Sequence, residues 1–399
     1  MVAVLLVLTA LPDAMVVPIL EEILVDRYGV GPGPAHAFLA VNLLGGLCAL
    51  PILGWTARRG RPVMAVAVAA AIDAALLASM WLPIGFTATI ALRALEGVAD
   101  VVVFAVIFDL VGRAGGRGSA GLRYGFASAL LSIALGGGAI MGGSIARLDA
   151  AAVDARPTVF LVGASACLLA AFLAVVWRHP LRRLEGLPRL EPQRPAASMP
   201  RRLRPAPLWP LLLIAGSDRA AGGLLTGTLG LFLAEAVGLG PAIRGGLVGS
   251  VLLLMGIGAI PAGLLADRFD ALRVRLLGAV VFGIGIVVLP LVADMLPVLG
   301  VVMLVMGIGG AVLLPTSLAL LDRLHGGLIG MGGFRAAGDL GFLFGVSAAG
   351  FLVDLLVSGA SAEEANTAYA SIFAGFGAIH LAVTAIAVPI LARSSSPKT

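Results

Sequence analysis

Charge is scarce in this sequence. Asp, Glu, Lys and Arg make up 12% of its 399 residues, about half the share a soluble domain carries. So little charge cannot cover a water-facing surface, which excludes an ordinary soluble enzyme or nucleic-acid-binding domain. Lysine is nearly missing, with Lys398 alone, and aromatics are few at 6%. The four His residues stand far apart and offer no metal-ligand cluster, and no Gly-rich phosphate loop ending in Lys-Ser or Lys-Thr is present. No enzyme constellation, cofactor or metal is therefore expected, and nothing that would couple ATP hydrolysis. Cys48 and Cys167 lie inside apolar segments and read as small core residues rather than a disulfide. The first apolar run has no basic segment ahead of it and reads as a retained helix, not a cleaved leader.

Apolar residues take the place of charge. The chain is 60% hydrophobic, holds 54 glycines and has a mean hydropathy of +1.06. Long unbroken apolar runs favour membrane-spanning helices over a β-barrel, whose strands are short and alternating. Twelve candidate spans, each near the ~20 residues needed to cross a bilayer, cover 2–24, 35–57, 62–82, 85–110, 121–146, 158–177, 208–235, 241–266, 274–292, 297–321, 332–357 and 367–392. The stretch 178–207 is rich in Arg and Pro and reads as a solvated basic linker. It divides the chain into 1–177 and 208–399, six spans each. The segments after spans 2, 4, 6, 8 and 10, with the C-terminus, hold 3, 3, 8, 3, 1 and 2 basic residues when Arg123 and Arg275, just inside the next spans, are counted with them; the opposite side holds four, Arg27, Arg147, Arg156 and Arg244. This bias predicts cytoplasmic termini and a cytoplasmic linker. The net charge of +5 is then a topology signal, with no nucleic-acid partner. The halves also echo each other. Gly54 and Gly263 lie 209 residues apart, while Gly125/Gly333 and Gly137/Gly345 lie 208 apart, which points to a duplicated six-helix unit.

The exceptional residues are the charges inside spans. Arg93, Glu96 and Asp100, at i, i+3 and i+7, share one helix face. Each costs roughly 2.5–3.5 kcal/mol at the bilayer centre on an insertion scale, so that face must look into protein or a water-filled cavity. Two readings stand: an ion-paired structural cluster, or a proton or substrate relay. Asp13 lies halfway along span 1, at the cluster's depth, and is the first carboxylate expected to act. Asp218 and Arg219 are mid-span neighbours pointing about 100° apart, so they do not pair directly. Arg335 and Asp339, at i, i+4, can pair structurally or gate. Asp73 and His380 lie at mid-depth in spans 3 and 12. Glu21, Glu22 and Asp26 read as a solvated acidic rim. Asn42 can hydrogen-bond in the cavity or between helices.

These residues resemble the major facilitator superfamily, and within it the twelve-helix drug/proton antiporters and related exporters, over nearly the whole chain. After span 2 the family reads Gly-x-Leu-Ala-Asp-Arg-x-Gly-Arg-Arg. Gly54 and Arg59 match, with Arg58 at the Asp position; the second copy has Gly263, Leu265, Ala266, Asp267 and Arg268, with Asp270 where Gly is usual. The resemblance implies a gate brace, rewired in the first half and retained through Asp267 in the second, with Arg335 and Asp339 as further gate candidates. LRALEGVAD is similar to the family's Arg-x-x-Gln-Gly signature, with Arg93 and Gly97 matching and Glu96 at the Gln position, and implies a role for Arg93 in proton transfer. Gly125, Gly138, Gly142 and Gly143 fit the antiporter pattern of helix 5, while Ala134 and Ala139 replace its Gly and Pro. Asp13, followed by Pro18, resembles the helix-1 acidic position of drug exporters. In the family fold the helices of Asp73 and His380 are peripheral, which sets both off the path.

The fold expected is all-α, with twelve transmembrane helices in two pseudo-symmetric six-helix bundles. The function expected is secondary active transport of a small organic molecule across a bacterial inner membrane, by proton-coupled efflux with the proton as coupling ion. Asp13, Arg93, Glu96, Asp100, Asp218 and Arg219 form the expected coupling set. The acidic cavity favours a cationic or amphipathic substrate, the lipid bilayer is the other partner, and a monomer is expected. A proton-coupled or facilitative metabolite importer is the first rival. A non-transporting sensor or assembly partner that kept the fold is the second.

Overall fold

Proline and glycine set where the helices of this chain begin and end. The structure, a computed structural model, describes residues 1–49, 51–52, 62–114, 120–149, 157–185, 207–325, 328–357 and 359–395. Their long helices are α1 Val2–Met15, α2 Pro32–Leu47, α3 Pro62–Met80, α4 Phe86–Ala114, α5 Ala120–Asp149, α6 Val159–Val176, α7 Trp209–Glu235, α8 Pro241–Arg268, α9 Ala271–Val288, α10 Leu296–His325, α11 Leu328–Val357 and α12 Ala362–Ser395. A short helix, Arg178–Glu185, follows α6, and no strand occurs among the described residues. The span expected over 2–24 is not one helix. Pro18 lacks the N–H a helix needs, and α1 gives way to a 3-10 turn, Val17–Ile19, then a π-helical turn, Glu21–Asp26. Ahead of α2, Gly29 takes φ +63°, Gly31 is the N-cap and Pro32 opens the helix; ahead of α8, Gly238 (φ +71°), Gly240 and Pro241 repeat this. All three pairs lie 209 residues apart. Asp270 caps α9, its Oδ1 accepting from Leu272 N at 3.1 Å. Ser361 and Glu364 form a capping box that starts α12 earlier than hydropathy suggests.

The two halves pack alike. In the first, α1 lies on α5 and α6, α3 on α4 and α6, and α2 on α4; in the second, α7 lies on α11 and α12, α9 on α10 and α12, and α8 on α10. Small residues allow these contacts, since lipid gives apolar helices no hydrophobic drive to associate. A Cβ on Gly138 or Gly142 would stand 2.2 Å from Leu11 O or 1.9 Å from Met15 O; one on Gly341 or Gly345 would stand 2.1 Å from Gly216 O or Ala220 O. Gly345 thus meets Ala220 as Gly138 meets Leu11, whereas Gly137, the sequence match to Gly345, has nothing within 4 Å. The members of the two crossings lie 209 and 207 residues apart, so this contact keeps the 208-residue offset to within one residue. The halves meet through α5 on α8 and α2 on α11.

The outside of the molecule is apolar: Leu168, Phe172, Leu277 and Phe344 are 59%, 62%, 69% and 62% exposed. Nine helices among the described residues are long and apolar enough to cross a membrane. The other three are α2, 16 residues long, α4 with Arg93, Glu96 and Asp100, and α7 with Asp218 and Arg219. Two of the three are the helices with mid-helix charge.

Candidate functional site

Each half encloses a charged cluster. In the first, Arg93 and Glu96 of α4 are 4% and 2% exposed, and the guanidinium Nη1 donates to both carboxylate oxygens of Glu96. The same guanidinium lies 4.9 Å above the Phe38 ring of α2. Gly97 brings α2 close, since a Cβ there would fall 1.9 Å from Asn42 O. That approach lets Asn42 Nδ2 donate to Glu96 Oε2 at 3.3 Å. Asp13 of α1 and Asp100 of α4 lie within electrostatic reach of Arg93. Asp73 of α3 joins them: it is 5% exposed, feels Glu96, Asp13 and Arg93, and accepts from Cys167 Sγ of α6 at 3.1 Å. One guanidinium is thus paired with Glu96, with the carboxyl groups of Asp13, Asp73 and Asp100 within electrostatic reach. The Asp73 side chain turns into the bundle, toward α4 and α6.

The second cluster uses the corresponding helices. Arg275 of α9 is 0% exposed and donates from Nη2 to both oxygens of Asp218 of α7, at 3.0 and 2.9 Å. Its Nη1 donates to Leu313 O at 3.1 Å and to Ser317 Oγ of α10 at 2.6 Å. His380 of α12 is 1% exposed, with Nε2 3.2 Å from Ala279 O and Nδ1 3.6 Å from Asp218 Oδ1. A carbonyl only accepts, so Nε2 carries the hydrogen, and Nδ1 is bare unless the ring is charged. Counted by sequence as a loop cation, Arg275 is a buried partner of Asp218. α9 starts at Ala271 behind the Asp270 cap, which places Arg275 in its second turn. Asp218 and Arg219 do not pair; Arg219 is exposed, its guanidinium 4.8 Å from the Phe342 ring of α11.

The halves are clasped at the end away from the termini. Arg244 of α8, 1% exposed, donates from Nη1 to Glu21 Oε2 at 3.1 Å and from Nη2 to Glu22 Oε1. Beside it, His36 Nε2 of α2 lies 3.0 Å from Thr228 Oγ1 of α7. Gly143 and Gly245 bring α5 and α8 together there, a Cβ on Gly143 falling 2.9 Å from Gly245 Cα. Near the other end, a Cβ on Gly125 or Gly263 would meet nothing within 4 Å. Glu21 and Glu22 are therefore partners of a buried arginine across the seam, not a solvated rim. They lie beyond the apolar span Val2–Ile19. Burial holds both carboxyls above the ordinary Glu range, against the pull of Arg244. Arg27, read from sequence as an outer-loop cation, caps α3: its Nη1 donates to Met80 O at 2.9 Å.

The remaining gate candidates divide. Arg268 is exposed at the end of α8, and Asp339 is half-buried in α11. Gly54, Arg58 and Arg59 lie outside the described residues, as do the side chains of Asp267 and Arg335.

The sequence pattern that defines the Major Facilitator Superfamily matches residues 2–217, more than half of the chain, and the chain belongs to that superfamily. It is a multi-pass membrane protein of a transporter family. No curated protein matches it. Among solved structures it is similar to a D-xylose–proton symporter, at 15% identity and TM-score 0.71 over 100% of this chain and 98% of that one. It is similar to a proton-dependent oligopeptide transporter, at 13% identity and TM-score 0.72 over 98% of each chain. A bacterial homologue of the human lysosomal transporter Spinster, inward-facing and occupied, matches at 13% identity and TM-score 0.70 over 99% of this chain and 95% of that one. At these identities the likeness is one of fold.

Proposed function

We propose that this protein is a proton-coupled secondary transporter that exports a small organic molecule by antiport, alternating access between its two halves. The observation that carries the reading is the first-half cluster, in which one guanidinium stands among four carboxyl groups. Four ionised carboxylates cannot be held by one cation in a site closed to water, so protons must relieve the surplus charge. Because these groups interact, they load and release protons together, and a conformational change that alters their hydration changes how many protons they hold. Asp13, the member carried on α1 at the junction with α5, is the group through which the cluster is read by substrate. The net acidity favours a cationic or amphipathic substrate. The match of Gly125, Gly138, Gly142 and Gly143 to the antiporter pattern of helix 5 supports export. The inner membrane of a bacterium, with both termini on its cytoplasmic side, is the location the Arg distribution supports.

Proton release in everted membrane vesicles tests this, with a panel of cationic amphiphiles, antibiotics and organic anions added in turn. Proton efflux on adding one compound, abolished by Asp13→Asn in folded protein, is the expected result. Proton uptake that follows substrate into the cell would establish the importer instead. Silence across the panel, with wild-type protein folded in the vesicles, would remove proton-coupled transport of these classes.

A further inference from the structure

Asp73 is the carboxyl group that ordinary salt-bridge chemistry explains least. It is 5% exposed, in the middle of α3. Among the described residues its hydrogen bonds amount to one, Oδ2 accepting from Cys167 Sγ, and Oδ1 has no partner. A thiol is a weak donor. One such bond does little to offset the cost of a bare carboxylate in an apolar interior, and a group so placed neutralises rather than stays charged. The groups facing it are few. Cys167 comes from α6; Arg93, Glu96 and Asp100 come from α4; Asp13 acts from α1. The short helix sets Arg178 and Arg182 against Val63 and Ala67, more than a turn away along α3. The one cation of the cluster, Arg93, is engaged by Glu96.

We propose that Asp73 is a proton-holding residue of the first-half cluster: it carries a proton on Oδ1, is hydrogen-bonded on Oδ2 by the Cys167 thiol, and exchanges that proton with the carboxylate of Glu96 or Asp100. The step is a proton transfer alone. The O–H bond at Asp73 breaks, an O–H bond at the acceptor carboxylate forms, and one negative charge moves the other way. Asp73 touches no substrate and serves as a reservoir behind Asp13. The inference rests on the proton-coupled reading above for its biological use, and on the local geometry for its chemistry.

Infrared difference spectroscopy on the protein in bilayers, across a pH jump and without substrate, tests the chemistry by itself. In a Cys48→Ala background, Cys167 contributes the only S–H stretch. The expected result is a neutral carboxyl C=O band that Asp73→Asn removes, together with a shift of the Cys167 S–H band. Cys167→Ala should move the C=O band without removing it, and this variant carries the test if Asp73→Asn does not fold. Glu96→Gln with Asp100→Asn should leave the Asp73 band present but insensitive to pH, because its acceptors are gone. A carboxyl band untouched by Asp73→Asn, or an S–H band unmoved, overturns the proton-holding assignment. An Asp73 band that titrates unchanged in the double variant overturns the exchange. These readouts need no transport, so failure of the vesicle assay with the bands behaving as expected would fall on the transport reading alone.

Discussion

Arg275 shows how much a single buried residue decides here. Its guanidinium binds Asp218 at two oxygens, with Leu313 O and Ser317 Oγ behind it, and no part of it is exposed. Removing one partner of such a pair leaves the other charge buried and alone, at a cost of about 3–5 kcal/mol. Arg275→Ala is expected to lower the melting temperature by several degrees or abolish membrane yield. Arg275→Ala with Asp218→Ala should recover most of that loss, because no lone charge remains. Fluorescence-monitored size exclusion after a heat series reads both; a double variant no better than Arg275→Ala would show that the pair does not stabilise. Arg93 is the contrasting case. Its place was legible, because Glu96 and Asp100 fall on its own helix face at helical spacing. The partners of Asp218 were not legible, because Arg275 and His380 come from α9 and α12, 57 and 162 residues further along. Helical periodicity carries no information about contacts at that range.

At the level of helices, glycine position is what sequence shows least reliably. Glycines 137, 138, 142 and 143 stand within two turns of α5, yet their surroundings differ. A Cβ on Gly142 would lie 1.9 Å from Met15 O, and one on Gly137 would meet nothing within 4 Å. Gly142→Ala is expected to push α1 off α5 and lose melting temperature and transport, since backbone cannot yield as a side-chain tip would. Gly137→Ala should be neutral or slightly stabilising, as Ala costs about 1 kcal/mol less than Gly in a helix interior. Equal melting temperatures for the two variants would disprove the α1–α5 crossing. The family pattern picked out Gly138, Gly142 and Gly143 but does not say which helix each one meets: the first two face α1 and the third faces α8 across the seam. The repeat was legible in register as well as in composition. The Gly-x-Gly-Pro entries to α2 and α8 keep the 209-residue offset because both require the same left-handed turn. The glycine contacts inside the helices keep it nearly as well, Gly138 on Leu11 answering to Gly345 on Ala220.

For the molecule as a whole, the consequence of the two-half design lies in the clasp at the end away from the termini. Arg244 on α8 holds Glu21 and Glu22 from the first half, so this end opens only when a buried guanidinium gives up both partners. Neither side of the clasp stands out in the sequence: Glu21 and Glu22 follow an apolar run as a helix end would, and Arg244 sits in the first turn of an apolar span. Their pairing appears only when the halves are brought together. Arg244→Ala is expected to shift the population toward an open distal end. Spin labels at Leu82 and Ser361, exposed on opposite halves at that end, would report a longer separation in a Cys48→Ala background. The same labels give the sign of the pH effect in the wild-type clasp. Glu21 and Glu22 bind protons more tightly half-buried in the closed seam than they would facing water, where the ordinary value of 4.5 applies. By linkage the state that binds protons more tightly gains as pH falls. Acidification from neutral toward 4.5 is therefore expected to favour the closed distance, with Glu21→Gln plus Glu22→Gln losing that dependence. A distance that lengthens on acidification would mean that the ion pair to Arg244 outweighs burial in setting the proton affinity of these two residues. The clasp would then release on acidification of that side.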